Sequence, residues 1–282
     1  RGPARAVTAG RLCHLLNAFR DVIGLRDAYY LNSNVTLPLT RPHQLSFAEL
    51  VGPQRLQFFV SHFWGTAFRY FVDTIRRHAE GVQGEHWRST AYWVCFLSNN
   101  QWDLTAEVGN GQWQDSSFYL ALRSGKCRAT CMVMTTEALP LTRSWCLFEV
   151  LQTYKLAHEA NSVESHDAFQ GLLFCTDMGV LGTGACFDAA VGLAHRLERL
   201  SVADADASNF EDKAMITRLV EEEGGMDQMN AFIRNCMLST LNKDQEVYKQ
   251  EMASFRQTLA SRNTSAWKKT LQMEPRSGKR EA

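Results

Sequence analysis

Short apolar runs alternate with amphipathic stretches through the middle of the chain, and this alternation predicts the fold. The apolar runs at 54–60, 92–97, 129–135 and 171–176 resemble strands in length and composition, and apolar residues at helical spacing lie between them. Strands that alternate with helices indicate a parallel sheet covered on both faces. We therefore predict an α/β fold, with a flavodoxin-like parallel sheet of four to five strands and flanking helical segments.

The two ends of the chain lack this alternation. Leucines near helical spacing predict a helix over 11–31, and a break with two prolines follows at 32–42. After about residue 205 only helical spacing recurs, at 210–219 and 226–241, with a continuation to 259 left open. The predicted organisation is an N-terminal helical extension over 1–50, an α/β domain over 51–204, a C-terminal helical segment over 205–261 and a disordered polar tail over 262–282.

Composition narrows the classes of protein that the chain can represent. Thirty basic and thirty acidic residues cancel, so we expect no nucleic-acid partner, and no apolar run reaches the roughly eighteen residues of a membrane span. The eight cysteines lie mostly in apolar stretches without a C-x-x-C pair, which is typical of a reduced cytoplasmic protein. Histidines lack metal-ligand spacing to cysteines, so we predict no metal site. The chain begins at Arg1 without a methionine, which we interpret as a fragment.

Polar residues follow three of the predicted strands, at 61–62, 99–101 and 135–137. In a parallel sheet ligands bind beyond the carboxyl ends of the strands, so we predict that the three groups converge on one site. Gly65 would allow a ligand to approach the backbone closely, because glycine has no side chain beyond hydrogen.

Glu149 is the sharpest candidate for chemistry. It follows Trp145 and Cys146 on a helix predicted over 144–158, and it does not occupy the position of a capping-box glutamate. Beside bulky apolar groups its carboxyl would be desolvated, which raises a carboxyl pKa and favours a specific partner. Helical periodicity alone instead favours an orientation toward water, on a polar face with Gln152 and Lys155.

Three segments resemble the Toll/interleukin-1 receptor (TIR) domain family. A first strand ends in Ser61, a second is followed by the long loop 99–117, and a third leads to a helix that opens with Trp-Cys-x-x-Glu149. The resemblance covers roughly 55–200. The sequences Ser-His-x-Trp-Gly, Tyr-Trp-x-Cys and Trp-Cys-x-x-Glu are most similar to a divergent TIR-like set from unicellular eukaryotes.

The resemblance implies an activity. Enzymatic TIR domains cleave the bond between nicotinamide and ribose in NAD, which is their substrate, and a glutamate at the position of Glu149 is their catalytic residue. A carboxylate suits this chemistry because it stabilises the oxocarbenium-like centre that remains when neutral nicotinamide departs. The residues expected to line the site, with Asn99 added for its position after a strand, are Ser61, His62, Phe63, Trp64, Gly65, Asn99, Trp145 and Cys146.

Two alternative functions remain open. A TIR-like module can signal without catalysis by self-association, and here the loop 99–117 would be the contact surface, because loops of this length are usually functional or mobile. The other alternative is the binding of a nucleotide or another small molecule without turnover. For NAD as for such a ligand, Trp64 or Trp102 would offer a flat surface on which a ring can stack.

Overall fold

Six strands form one sheet in the computed structural model of the chain, which describes residues 1–160, 169–184 and 187–271. The order across the sheet is β1-β3-β2-β4-β5-β6; the four central strands are parallel and the two edge strands are antiparallel. The predicted α/β fold is confirmed, and the order of the parallel strands is compatible with a flavodoxin-like sheet. The strands are β1 (Val7–Thr8), β2 (Phe58–Ser61), β3 (Ala91–Val94), β4 (Ala129–Val133), β5 (Leu172–Thr176) and β6 (Gly179–Val180).

The sheet has more strands than the four to five predicted because both edge strands are very short. β1 and β6 contain two residues each, too few to show any alternation in the sequence. Val7 of β1 pairs with Tyr92, and Val180 of β6 pairs with Cys175. Short edge strands of this kind also leave little unpaired backbone for other chains to join.

Helices cover both faces of the sheet. α1 and α6 pack on one face, α9, α10 and α11 pack on the other, and α12 lies outside α10 while α13 lies outside α11. This arrangement encloses α10 between the sheet and α12. In chain order the helices are α1 (Ala9–Ala18), α2 (Arg20–Ile23), α3 (Ala28–Leu31), α4 (Leu37–Thr40), α5 (Phe47–Val51), α6 (Phe68–Gln83), α7 (Cys95–Ser98), α8 (Leu104–Glu107), α9 (Ser117–Leu122), α10 (Ser144–Ala160), α11 (Phe187–Arg199), α12 (Phe210–Glu222) and α13 (Gly225–Leu271).

Aromatic residues of β2 and β3 fill both faces of the sheet. Successive strand residues point to opposite faces. Phe58 and Tyr92 therefore pack toward α6 with ring centroids 5.6 Å apart, and Phe59 and Trp93 pack on the other face at 4.8 Å. Each pair is also a pair in the parallel register. Because these rings are fully buried, they fix the relative positions of the two strands whose carboxyl ends lead into the site described below.

Three segments differ from the predicted elements. The break predicted at 32–42 is mostly helical, since a π-helical turn over Asn32–Thr36 runs directly into α4. Pro38, the second residue of α4, does not end this helical run, although it has no N–H group to donate within it. β3 ends at Val94 and α7 follows, with the Val94 N–H donating to the Ser98 hydroxyl at 3.0 Å. The loop 99–117 contains α8 and a short 3-10 turn.

The C-terminal helix is longer than the sequence predicted. α13 runs past residue 259 and into the predicted tail, to Leu271, and residues 272–282 lie outside the described residues. None of the helices in the described ranges combines the length and hydropathy needed to cross a bilayer. Seven cysteines in the described part of the chain are free thiols, and Cys186 lies outside it.

Candidate functional site

A cleft of about 350 Å³ opens beyond the carboxyl ends of β2 and β3. Ligands of parallel α/β proteins bind at this edge of the sheet. The start of α10 completes the cleft, together with residues from both ends of the chain. Of the nine predicted site residues, seven line it: His62, Phe63, Trp64, Asn99, Trp145, Cys146 and Glu149.

Glu149 is buried in the wall of this cleft. Its side chain is 3% exposed, and its Oε2 atom has no hydrogen-bond partner. The orientation toward water on a face shared with Gln152, which helical periodicity favoured, is wrong, because Gln152 is buried as well. Because α10 lies between the sheet and α12, a polar residue on this helix need not face solvent. The carboxyl group therefore belongs to the cleft and not to the outer surface.

Burial raises the pKa of Glu149 to about 8, because the low-dielectric surroundings disfavour the charged carboxylate. The nearby Ser61 hydroxyl lowers the pKa of Glu149 and so offsets part of this rise. The two side chains do not form a hydrogen bond, however, and Ser61 Oγ has no other partner. Burial, and next the charge on Glu149, raises the pKa of the Cys95 and Cys146 thiols. At neutral pH the cleft therefore holds an uncharged carboxyl and two uncharged thiols.

His62 contributes an uncharged imidazole to the same cleft. Burial lowers the pKa of His62 to about 3, and its ring packs against Phe71 and Phe96 with centroids 4.7 and 5.7 Å away. Neither ring nitrogen has a hydrogen-bond partner. The main-chain carbonyl of His62 accepts a bond from the Cys146 thiol at 3.6 Å. A neutral imidazole can both donate and accept hydrogen bonds without adding charge to the site.

An aromatic wall around Trp64 borders the cleft. The Trp64 indole N–H donates to the Cys95 sulfur at 2.9 Å, and the Trp64 ring lies 5.3 Å from Tyr29 and 5.6 Å from Phe96 between centroids. The N–H of Ala28, at the start of α3, donates to the Trp64 carbonyl at 2.9 Å. This contact holds the N-terminal segment against the loop after β2. A flat, aromatic ligand would find a suitable stacking surface here.

Trp145 forms another part of the wall and is held in place by the C-terminal segment. Its ring stacks on Phe118 with centroids 4.8 Å apart and an interplanar angle of 21°. Its indole N–H donates to Asp212 Oδ2, on α12, at 2.9 Å. A buried indole N–H without such an acceptor would destabilise the fold. α12 therefore determines the orientation of a cleft residue that α10 carries.

Side-chain amides line the part of the cleft after β3. Asn32 Nδ2 donates to Gln101 Oε1 at 3.3 Å, but the Oδ1 atoms of Asn32 and Asn99 are buried without partners. Buried polar atoms are nearly always hydrogen-bonded, so these two acceptors suit a ligand that carries N–H groups. Arg143, which donates to the Ser208 hydroxyl at 3.2 Å, adds a cationic group suited to an anion.

Three residues predicted to contact a ligand lie elsewhere. Ser61 is buried next to Glu149 but is not part of the lining. A Cβ at Gly65 would lie 2.4 Å from the Phe63 ring, so the glycine makes room for Phe63 and not for a ligand. Trp102 donates its indole N–H to Thr40 at 3.0 Å and does not line the cleft.

The three polar groups that follow strands do not converge on one site. Thr135 and Thr136 line a second cleft of about 200 Å³, together with Tyr70 and Asp177. β2 lies between β3 and β4 in the sheet, so the residues that follow β3 and those that follow β4 diverge to opposite sides of β2. The prediction of convergence is therefore wrong for the group at 135–137.

The sequence did not predict the lining residues that come from the segments before and after the predicted α/β domain. Tyr29, Asn32 and Ser208 line the cleft, although all three lie outside the region that resembles TIR domains. The one local signal is the polar run 32–34, which predicts a break and not a ligand site. Their contribution depends on tertiary packing, which a local pattern does not report.

The arrangement combines a neutral buried carboxyl, a neutral imidazole, an aromatic wall and unpartnered amide oxygens. Within the described ranges, no cluster of three His, Cys, Asp or Glu side chains could hold a metal ion. Comparison of the chain with protein-family models, with curated proteins and with solved structures gives no match. The resemblance to TIR domains therefore rests on the sequence motifs alone, and the structural evidence on function lies in the cleft.

Proposed function

We propose that this protein cleaves the bond between nicotinamide and ribose in NAD, with Glu149 as the catalytic residue. The observation that carries the proposal is a buried carboxyl, with a pKa of about 8, in the wall of a cleft that also contains aromatic and amide side chains. Ionisable groups whose pKa is strongly shifted by burial in a cleft are typical of functional sites. The resemblance to enzymatic TIR domains assigns the same residue.

The proposed reaction needs one carboxylate. The bond between the ribose C1′ and the nicotinamide nitrogen breaks, and its electron pair stays on nicotinamide, which leaves as a neutral molecule. The positive charge that develops at C1′ is stabilised by the carboxylate of Glu149. Water then adds to C1′ and releases a proton, which gives ADP-ribose. Because the leaving group takes up no proton, the neutral His62 and the neutral thiols of the cleft are compatible with the reaction.

The charge of the substrate compensates for the raised pKa of Glu149. The nicotinamide ring of NAD is a cation, and a cation near a buried carboxyl favours its charged form. Binding would therefore lower the pKa of Glu149 and release its proton below about pH 8. The resulting carboxylate would act in surroundings where charge–charge interactions are stronger than in water.

The cleft residues divide between the two halves of the substrate. In this proposal the nicotinamide ring stacks on the wall around Trp64, and its carboxamide donates to the free Oδ1 atoms of Asn32 and Asn99. A volume of about 350 Å³ lies toward the small end of small-molecule sites and would hold the nicotinamide–ribose half. The diphosphate would extend toward Arg143.

Direct measurement of the products tests the proposal. The purified chain is incubated with NAD, and nicotinamide and ADP-ribose are quantified by chromatography. We expect equal amounts of both products from the unmodified protein and none above background from Glu149→Gln. The exposed Glu85, replaced by glutamine in the same way, provides a matched control that should keep full activity. Equal release from the Glu149→Gln protein, or none from the unmodified protein at saturating NAD, contradicts the proposal.

Self-association as a non-catalytic module remains the second candidate, through the loop 99–117. This loop is anchored to the N-terminal segment, because Arg5 pairs with Glu107 at 2.6 Å and with Glu49 at 2.9 Å. Trp102 and Leu104 are exposed on the loop, so it presents an ordered surface with apolar groups. Absence of product together with assembly that Leu104→Asp abolishes would favour this function over catalysis.

A further inference from the structure

Residues 238–259 of α13 carry apolar side chains in a heptad pattern. Steps of three and four residues connect them, which places them on one stripe of the helix in the a and d positions of a coiled coil. We call this stripe the α13 seam. It is distinct from the core-facing side of α13, where Met229, Ile233 and Met237 are buried. The α13 seam consists of Leu238, Leu241, Gln245, Tyr248, Met252, Phe255 and Leu259.

Most of the α13 seam is exposed, whereas Leu241 and Met252 are half-buried and the Tyr248 ring stacks on Phe187 with centroids 6.4 Å apart. The exposed fractions are 56% for Leu238, 56% for Tyr248, 57% for Phe255 and 45% for Leu259. At its N-terminal end the seam continues into an apolar groove of about 260 Å³ between α11 and α13, which Leu197 helps to line. A contiguous apolar surface of this kind marks an interaction site, whereas single exposed apolar residues do not.

The charges beside the seam favour a parallel pair of identical helices. Glu251 occupies a g position, and Lys249 and Arg256 occupy e positions. In a parallel pair each g residue faces the e residue five positions further along the partner, so Glu251 would face Arg256 of the second copy. In an antiparallel pair the basic e positions would face each other and repel. The preceding g residue, Asp244, is already engaged, because it accepts the N–H groups of Gly182 and Gly184.

We propose that two copies of this chain associate through the α13 seam as a parallel, two-stranded coiled coil. A two-fold axis along the helices brings each apolar position of the seam against its own counterpart, so the surface is complementary to itself. Gln245 would set the register, as single polar residues at a positions do in coiled coils. The packing of α13 on α11 already orders the first turns of the seam, which removes the cost of starting the helix.

Sedimentation equilibrium of the full chain, from low to high micromolar concentration, tests this inference. We expect a reversible dimer, and we expect Phe255→Glu to raise the dissociation constant at least about thirtyfold, because two buried rings are lost per dimer. Ala253→Glu, which adds the same charge off the seam, should change the constant by less than about twofold. Far-UV circular dichroism and unfolding midpoints of both variants show whether the domain still folds.

A charge exchange tests the parallel orientation separately. Glu251→Lys should weaken the dimer, and adding Arg256→Glu to it should restore the dimer, because the two charges then attract in the opposite sense. A monomer at every concentration overturns the inference, as does a dimer that Phe255→Glu leaves intact. A double variant no tighter than Glu251→Lys alone overturns the parallel arrangement. The inference does not rest on NAD cleavage, since the seam and the cleft share no residue.

Discussion

Replacing Glu149 with glutamine should change how the stability of the protein depends on pH. Glutamine keeps the size and polarity of the side chain but cannot ionise. In the folded protein burial raises the pKa of Glu149 from 4.5 to about 8. Between these two values the folded state holds a proton that the unfolded chain has released. The stability that the neutral carboxyl contributes is therefore complete below pH 4.5 and is lost as the pH rises through 8.

The size of the effect follows from the shift. One pKa unit corresponds to about 1.36 kcal/mol, so the free energy of unfolding should fall by about 3–5 kcal/mol in total as the pH rises from 4.5 through 8. Glu149→Gln should gain this amount relative to the unmodified protein between about pH 5 and about pH 9. Burial lowers the pKa of His62 to about 3 and of His78 to about 4, so both proteins gain stability as the pH rises toward 6.5. That gain is common to both and cancels in the difference.

Urea unfolding at several pH values, followed by tryptophan fluorescence, measures this difference. Any cost of burying the glutamine amide is independent of pH and shifts the whole curve without changing its slope. The exposed Glu85, replaced by glutamine, serves as the control and should run parallel to the unmodified protein. If Glu149→Gln also ran parallel, the reasoning would be refuted, because the carboxyl would then titrate in the folded protein as it does in the unfolded chain.

Three more predictions concern the cleft and its supports. If NAD cleavage proceeds as proposed, kcat/KM should rise about tenfold per pH unit and level off near about pH 8, because the proposed reaction needs Glu149 ionised; initial rates of nicotinamide release measure this. Asp212→Ala should lower the free energy of unfolding by about 1–2 kcal/mol, because the Trp145 indole loses its acceptor, as urea unfolding will show. By the same measurement Gly65→Ala should lower the free energy of unfolding by about 1–3 kcal/mol, because its Cβ would lie 2.4 Å from the Phe63 ring. Gly81→Ala, in open space on α6, should instead raise it by up to about 1 kcal/mol.

The four central strands were predictable because each is buried on both faces. A strand without an exposed face has an almost continuous apolar sequence, and β2, β3, β4 and β5 all show one. The segment 32–42 was not predictable in this way. Its asparagines and prolines favour a break locally, yet the chain there is helical, with Leu31, Val35 and Thr36 buried against the rest of the molecule. Tertiary packing outweighed the local preference.

The candidate site was only partly predictable, for a related reason. The motif around Glu149 identified the residue, but its burial depends on the packing of α10 against the end of β2, where Ser61 lies beside it although it comes almost ninety residues earlier in the chain. The spacing of polar residues on α10 predicts that Glu149 and Gln152 face solvent. Both are buried instead, because the sheet covers one side of α10 and α12 covers another. The neutral state of His62 likewise depends on Phe71 and Phe96, which local sequence does not bring together.

Asn32 tests whether the ends of the chain take part in function or only support the fold. It lies outside the segments whose motifs resemble TIR domains, its Oδ1 is buried without a partner, and it lines the same cleft as Glu149. Asn32→Ala should therefore raise the KM for NAD by about three- to tenfold, with kcat within about twofold, because the lost bond contributes to binding and not to the reacting bond. Asn34→Ala, an exposed site two residues away, should leave both constants unchanged.

Steady-state kinetics of nicotinamide release on the two variants decides the matter, with urea unfolding to confirm equal stability. If Asn32→Ala matched Asn34→Ala in KM, the N-terminal segment would be a support for the wall around Trp64 and nothing more. A raised KM at unchanged stability would mean that NAD recognition is shared between the region whose motifs resemble TIR domains and a segment outside those motifs. The cleft would then be a product of the whole chain, because neither the motif nor the extension would suffice to bind the substrate.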